Sequence, residues 1–293
     1  MSRRLFRGDS LALRCGPYTA VIVPAAGGRV ASLTWGDGPG ALPLLIEWSG
    51  NAFDEHQWPK AGAFPMLPFA NRLPSDGFLF EGARHRPQPG PAGFALHGVA
   101  HRRPWQVDEA SCRHARLRQV HEAGEEGWPW PWTAQQDILL DDQGLQVTLR
   151  LRNDGDRPMP AGLGWHPYHP WPADGAAAPL HISAGARHAL DAHGRAELDT
   201  GAPVFGAQPD ETAVFSAWDG LMRLPATGGR TIVACGEGAV ALVMHRPASG
   251  DYVCAEPVTA LPGRLGEAGT TLHPGEVRTL TWRCGCEARP QAG

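Results

Sequence analysis

The sequence predicts an all-β protein built as one large antiparallel β-sandwich. Short alternating or β-branched runs recur along the 293 residues, and few segments keep a helical period over three turns. Turn-forming residues separate these runs, and the chain contains 37 glycines and 28 prolines. Strands at regular spacing without intervening helices are typical of an antiparallel sandwich, with binding sites in the loops at the sheet ends.

Six segments show strand character. In residues 144–153, aliphatic side chains at odd positions alternate with polar or charged side chains at even positions. A period of two indicates a half-buried strand. The predicted strands lie in residues 18–24, 144–153, 231–236, 239–245, 251–259 and 277–284.

Turn chemistry joins two pairs of neighbouring strands. The segment "DDQG" (141–144) separates "QQDILL" (135–140) from the strand that follows it, which predicts a hairpin. The segment "HRPASGD" (245–251) predicts a second such connection.

The chain shows no internal repeat, linker or shift in composition. We therefore expect one domain over residues 1–285, followed by a flexible tail over residues 286–293.

Charge and composition exclude several classes of partner. The net charge is −4 and the isoelectric point is about 6.3, so no basic field is present to hold nucleic acid or anionic lipid. No apolar run approaches the ~18 residues of a membrane helix or forms the core of a signal peptide. Lys60 is the only lysine, and we attribute this to an arginine-rich composition.

The six cysteines contain no CxxC pair. Because the sequence shows no export signal, we expect reduced, mostly structural thiols and a cytoplasmic location. The sequence also lacks a GxSxG nucleophile elbow, a P-loop, a GxGxxG turn and a calcium loop. We expect no metal and no cofactor.

The segment "GLGWHPYHPW" (162–171) places two histidines three residues apart between prolines. Proline removes a backbone donor, so we expect neither a helix nor a central strand here. His166, held by Pro167 and Tyr168, could act as a general acid near neutral pH. The alternative is a histidine satisfied within the core.

Glu256 stands near the end of the apolar strand "DYVCAEPVT" (251–259). The alternation places Tyr252, Cys254 and Glu256 on one face, and Pro257 ends the ladder. Desolvation would raise the pKa of this carboxyl toward the range of a general base. The alternative is a glutamate that faces solvent at a strand end.

His97 and His101 have the spacing of a zinc helix, but Gly98 opposes a helix and no glutamate follows His97. Metal binding is therefore the weaker interpretation. A close backbone approach to a ligand at His97 and a surface loop are both compatible with the segment.

Asn71 and Arg72 lie between an apolar run and a turn, where the guanidinium could bind hydroxyls or carboxylates, or form a structural salt bridge. Tryptophans could stack on sugar rings, although we expect at least half of them to pack between sheets; they are Trp58, Trp128, Trp130, Trp132, Trp165 and Trp171.

Taken in order, these segments resemble the aldose 1-epimerase family, also called galactose mutarotase-like proteins. The matching motifs are "NR", "LHG", "MPAGLGWHPY" and "EPVT", between about residues 60 and 260. The resemblance implies a single β-supersandwich with a sugar site on its concave face.

The resemblance also implies roles for individual residues. His166 corresponds to the general acid that protonates the ring oxygen, and Glu256 to the general base that removes the anomeric hydroxyl proton. His169 falls where an aromatic residue is common, so we expect it behind His166 or at the pocket rim. His97 and Arg72 correspond to groups that hydrogen-bond the sugar. We also predict that Asn71, Tyr168 and Trp165 bind the substrate.

One position departs from the family pattern. Thr212 stands where the family has a substrate-binding aspartate, and Asp210 or Glu211 could reach in instead.

The implied activity is interconversion of the α and β anomers of an aldose, with a small sugar as partner and a monomer or weak homodimer as the assembly. A hexose-phosphate 1-epimerase is the nearest alternative, and it would use cations such as Arg72, Arg102, Arg103 and Arg264. A non-catalytic sugar binder or sensor on the same fold is a further alternative. Glycoside hydrolysis ranks last, because it needs two carboxylates and one good candidate is present.

Overall fold

Two antiparallel sheets form the body of the protein, which we describe from a computed structural model covering residues 10–49, 53–74, 76–171, 180–206, 210–228 and 230–288. In chain order, the strands in these residues are β1 Leu11–Cys15, β2 Tyr18–Val23, β3 Arg29–Trp35, β4 Leu42–Pro43, β5 Ala63–Met66, β6 Phe78–Phe80, β7 Ala83–His85, β8 Gln106–Ala110, β9 His114–His121, β10 Trp132–Asp141, β11 Gly144–Asn153, β12 Met159–Pro160, β13 Gly164–Pro170, β14 Leu180–His181, β15 Ala186–Leu190, β16 Ala196–Asp199, β17 Val204–Phe205, β18 Glu211–Ser216, β19 Leu221–Ala226, β20 Arg230–Glu237, β21 Ala241–Arg246, β22 Tyr252–Val258, β23 Thr271–Leu272 and β24 Val277–Ala288. The helices over the same residues are short 3-10 turns at Pro24–Ala26, Gly38–Gly40, Ala100–Arg102 and Glu125–Gly127.

The larger sheet has 11 strands, in the order β1-β2-β3-β5-β13-β22-β21-β18-β15-β16, with β4 paired to β3. The smaller sheet has seven strands, in the order β19-β20-β24-β11-β10-β9-β8. Three two-stranded ribbons complete the described topology: β12-β23, β14-β17 and β6-β7. The all-β antiparallel sandwich expected from the sequence is confirmed.

One hydrophobic cluster fills the space between the two sheets. It includes Leu33 of the large sheet and Leu149 of the small sheet. Trp165 and Trp282 meet across the gap with their ring centroids 5.8 Å apart. The buried tryptophans Trp128, Trp130 and Trp132 belong to the same cluster, so their packing role is confirmed.

The other face of the 11-stranded sheet, here called the outer face, carries a second apolar cluster. This cluster includes Phe64 of β5, Tyr168 of β13, Val243 of β21 and Cys254 of β22. Because side chains alternate along a strand, His166 shares this face with Tyr168, and Glu256 shares it with Cys254. The outer face therefore gathers the predicted acid and base.

All six predicted strands are present, and so are both predicted hairpins. Asp141 pairs with Gly144 across the turn between β10 and β11. Strands β21 and β22 pair on either side of residues 247–251. Alternating or β-branched runs between turn-forming residues were sufficient to find these elements.

The prediction that residues 162–171 avoid a central strand is wrong. Strand β13 lies between β5 and β22. It pairs with β5 over residues 164–167, and with β22 at Gly164 and over residues 168–170. The ladder to β22 is therefore broken opposite Pro167 and Pro257, and the missing N–H groups fall at this break.

The predicted start of the tail is also corrected. Strand β24 continues to Ala288, where it pairs with Arg230 of β20. The long edge of β20 offers backbone partners to residues 286–288, so the ladder extends past the expected boundary. Residues 289–293 lie outside the described residues. None of the described helices has the length and apolarity that crossing a bilayer requires.

Candidate active site

His166 and Glu256 form a buried pair on the outer face. They lie on the adjacent strands β13 and β22, and His166 Nε2 is 3.2 Å from Glu256 Oε1. The two residues are 6% and 3% exposed, so the pair is largely shielded from bulk water. Glu256 Oε2 has no hydrogen-bond partner in the described part of the chain. One carboxylate oxygen therefore remains available to a ligand.

Ring stacking fixes the orientation of His166. Phe64, its register partner on β5, stacks on one side with centroids 4.6 Å apart. Tyr168 stacks at 4.7 Å, and its hydroxyl accepts a hydrogen bond from Trp58 Nε1 at 3.4 Å. The imidazole is thus held mainly by aromatic packing, and the neighbouring prolines shape the strand.

His97 approaches His166 edge-on, with ring centroids 5.0 Å apart. Its φ of 59° and the φ of 68° at Gly98 form a tight reversal. A Cβ on Gly98 would lie 1.9 Å from the carbonyl oxygen of Leu67, so only glycine fits there. The close approach at Gly98 is therefore to the backbone of Leu67, and an approach to a ligand stays a prediction.

The hydrogen bonds of His97 set its tautomer. The backbone N–H of Asn71 donates to His97 Nδ1 at 3.1 Å, and the His97 N–H donates to the Asn71 carbonyl at 3.0 Å. Burial lowers the pKa of His97 to about 3. The ring is therefore neutral, with its proton on Nε2, and can donate one hydrogen bond to a ligand.

Asn71 and Arg72 occupy the strip beside His97. Asn71 Oδ1 accepts a hydrogen bond from the Arg72 N–H at 2.7 Å, so the Asn71 side chain stabilises the local backbone. The Arg72 guanidinium lies 4.1 Å from the Phe94 ring centroid. Arg72 forms no ion pair within the described ranges, which leaves its donors available. Substrate contact by either residue stays a prediction.

Burial shifts the pKa values of Glu256 and His166 in opposite directions. Burial raises the pKa of Glu256 to about 8, against the opposing effect of the Lys60 charge. Burial also lowers the pKa of His166 well below its usual value, and the positive charges of Lys60 and Arg29 act in the same direction. A strongly perturbed pair of this kind is characteristic of catalytic sites.

Two predicted positions lie on the wrong face. Trp165 is fully buried in the core between the sheets, where it packs on Trp282. His169 is also fully buried, and its Nδ1–H donates to the carbonyl of Leu44 at 2.8 Å. Both stand at odd positions of β13, opposite in direction to His166 and Tyr168. Trp165 is therefore not a substrate-binding residue, and His169 is not at a pocket rim.

Lys60 is a site residue that the sequence interpretation missed. Its Nζ lies 4.6 Å from the Trp58 ring centroid. Its charge affects the pKa values of Glu256, His166 and Cys254. The signal in the sequence was a single lysine among many arginines, which we attributed to composition.

Thr212, at the position of the family aspartate, contacts a histidine. Its Oγ1 lies 2.8 Å from His245 Nδ1. Glu211 pairs with Arg187 at 3.2 Å and is therefore already engaged. The charge of Asp210 acts on His245 to raise its pKa, although burial lowers it overall. Asp210 is exposed, and its reach toward a bound sugar stays a prediction.

Cys254 adds a third potential ligand atom to the central pair. Cys254 Sγ, one ring nitrogen of His166 and one carboxylate oxygen of Glu256 all lie within 4.8 Å of one another. All three residues are buried. These are the described residues that could hold a metal ion.

Comparison with known proteins shows which family this chain resembles. The family model "Aldose 1-epimerase" matches residues 9–202. An uncharacterised protein, YphB, of Escherichia coli K12 is 34% identical over 112 residues; the match covers 38% of this chain and 37% of that protein.

Solved structures share the fold at low identity. A proposed aldose 1-epimerase from Escherichia coli K12 has a TM-score of 0.81 at 23% identity, over 95% of this chain and 99% of that one. A galactose mutarotase-like protein from Clostridium acetobutylicum has a TM-score of 0.78 at 17% identity, over 94% of both chains. Galactose 1-epimerase from Lactobacillus acidophilus has a TM-score of 0.71 at 14% identity, over 93% and 92% of the two chains.

The family match and the fold therefore lead to the same assignment. The chain belongs to the aldose 1-epimerase family.

Proposed function

We propose that this protein is an aldose 1-epimerase in which Glu256 is the general base and His166 the general acid. The observation that carries the proposal is the buried contact of 3.2 Å between these two side chains. The anomeric oxygen and the ring oxygen of a cyclic aldose are bonded to the same carbon. Two groups this close together can therefore reach both oxygens at once.

The reaction follows from that placement. The Glu256 carboxylate removes the proton from the C1 hydroxyl while the His166 imidazolium donates a proton to the ring oxygen. The bond between C1 and the ring oxygen breaks, and the C1 carbonyl forms. Rotation about C1–C2 then presents the other face of the aldehyde, and the reverse proton transfers close the ring. Both side chains end in their starting states.

The two shifted pKa values give this pair one shared proton at neutral pH. The His166 pKa lies well below 6.5, so a second proton is not retained. The Glu256 pKa near 8 means that the first proton is not lost. With one proton, the pair supplies a base and an acid whenever the carboxylate is ionised and the imidazole is protonated.

Neighbouring side chains support binding in this proposal. His97 donates from Nε2, and Arg72 offers its unpaired guanidinium to sugar hydroxyls. Tyr168 keeps His166 in place by stacking. These roles require Arg72 and His97 to contact the sugar directly.

The ion pairs favour an unphosphorylated aldose. Three of the four arginines considered for phosphate binding already form ion pairs with carboxylates. These are Arg102, Arg103 and Arg264. A phosphate would have to displace these contacts. A pure sugar binder, by contrast, would have no need of a buried acid–base pair.

The test is the rate of anomer interconversion of freshly dissolved α-glucose and α-galactose, measured by polarimetry or NMR, with glucose 6-phosphate alongside. His166→Ala and Glu256→Gln should each lower kcat by ~10²–10⁴-fold, because a placed acid or base contributes that much. The matched controls are the exposed His193→Ala and Glu237→Gln. Near-wild-type rates in either site variant would reject its assigned role, and no acceleration by the wild type on any aldose would reject the enzyme.

A further inference from the structure

Cys254 is a buried thiol beside the catalytic pair that the proposed reaction does not use. It stands two residues before Glu256 on β22, fully buried, and faces the same side of the sheet. Its sulfur, a ring nitrogen of His166 and a carboxylate oxygen of Glu256 lie within 4.8 Å of one another. Three different ligand types therefore converge on one small volume.

This ligand set matches the preferences of a soft divalent cation. Thiolate and imidazole favour zinc over magnesium or calcium, which prefer oxygen ligands. Zinc bonds of about 2.0–2.3 Å place the ligand atoms of one tetrahedral ion about 3.3–3.8 Å apart. His166 Nε2 and Glu256 Oε1 are already 3.2 Å apart, so the sulfur would need to move by about 1 Å or less.

We infer that His166, Cys254 and Glu256 form a three-ligand site for zinc or a similar thiophilic cation, and that the ion excludes the sugar. The fourth coordination position remains for water. The ion occupies the acid and the base together, so the metal-bound protein is inactive. This inhibitory consequence rests on the proposed epimerase function, whereas binding of the ion does not.

The charges of the site balance on binding. The thiol of Cys254 loses its proton, and the His166–Glu256 pair releases the proton that it shares, so two protons pass to solvent for each ion bound. The resulting thiolate and carboxylate neutralise the two charges of the cation. Lys60 opposes the ion, because its positive charge acts on both Glu256 and Cys254.

The direct test uses cobalt as a spectroscopic probe of the full chain after treatment with a chelator. Titration with Co²⁺ should produce a thiolate-to-cobalt charge-transfer band and the visible bands of a four-coordinate ion, and one equivalent of Zn²⁺ should abolish them. The bands should be absent in Cys254→Ala and unchanged in Cys235→Ala, which alters a half-buried thiol of the other sheet. Absence of the bands in the wild type, or their persistence in Cys254→Ala, would overturn the site.

Inhibition provides the second readout. Zn²⁺ should inhibit anomer interconversion in competition with glucose. Cys254→Ala should raise the inhibition constant at least about tenfold, because loss of a ligand weakens metal binding more than loss of a group that only hydrogen-bonds a ligand, which costs about 10–100-fold. If Cys254→Ala does not fold, the metal site is tested with Cys254→Ser and with competition between glucose and Co²⁺ in the wild type. Cobalt bands without any epimerase activity would reject the proposed function alone, and activity without the bands would reject the metal site alone.

Discussion

Single residues determine the protonation state on which the proposed reaction depends. In the proposed reaction the pair is active only while it holds one proton, and this proton is lost as the pH rises through the Glu256 pKa of about 8. We therefore expect kcat/KM to be level through neutral pH and to fall about tenfold per pH unit above that value. Lys60→Met should move this fall to higher pH, because the Lys60 charge lowers the pKa of Glu256.

The measurement is a pH profile of anomer interconversion, corrected for the spontaneous rate. The exposed Arg223→Met on the other sheet is the control for loss of one positive charge. A profile that rises through pH 8, or an unshifted limb in Lys60→Met, would contradict the shared-proton assignment.

At the residue scale the sequence predicted His166 and Glu256, which the structure brings together, but it did not predict Lys60 beside them. The catalytic candidates stand on strands, where alternation and the following prolines reveal a direction. Lys60 stands in an irregular segment that no periodicity describes. The segment is held by the buried Arg29, which donates to the carbonyl of Pro59 at 3.3 Å and to that of Ala61. This contact joins β3 to residues about 30 positions away, and no local pattern predicts it.

At the scale of strands, β13 shows what the residue pattern predicts and what it does not. A period of two predicts which side chains share a face, and it separates His166 from Trp165 as soon as the segment is known to be a strand. The prolines led us to exclude a central strand, because the sequence does not show where the hydrogen-bond ladders to neighbouring strands break. The same lack of information placed Trp165 in the predicted sugar site.

The corrected direction of Trp165 makes a testable difference between stability and binding. Trp165→Ala should lower the free energy of unfolding by about 3–5 kcal/mol, because it opens a cavity against Trp282. The KM of the folded fraction should stay close to that of the wild type. Trp58→Phe, on the outer face, is the matched variant and should raise KM with little loss of stability. Thermal melts and steady-state kinetics measure both, and an unchanged Tm with a raised KM in Trp165→Ala would return that residue to the site.

For the whole molecule, the buried histidines set the response to acid. Burial lowers the pKa of His97 to about 3 and that of His169 to about 4, and it lowers those of His101 and His166 well below their usual value. Between pH 6.5 and these values, the unfolded chain binds protons that the folded chain does not. Stability therefore falls as the pH drops below 6.5. Glu256 acts in the opposite sense, since its raised pKa makes the folded state lose stability as the pH rises from 4.5 to about 8.

Because four buried histidines outnumber the single glutamate, we expect the free energy of unfolding to be largest near neutral pH. The variant His169→Phe tests the histidine contribution. The shift from 6.5 to about 4 corresponds to about 3 kcal/mol, lost progressively as the pH falls across that interval. His169→Phe gives up the hydrogen bond to Leu44 at every pH, so its signature is a weaker pH dependence between pH 7 and 4. Urea unfolding at a series of pH values measures this dependence, with the exposed His193→Phe as control. An unchanged pH dependence in His169→Phe would show that His169 is not held neutral by its burial between the sheets.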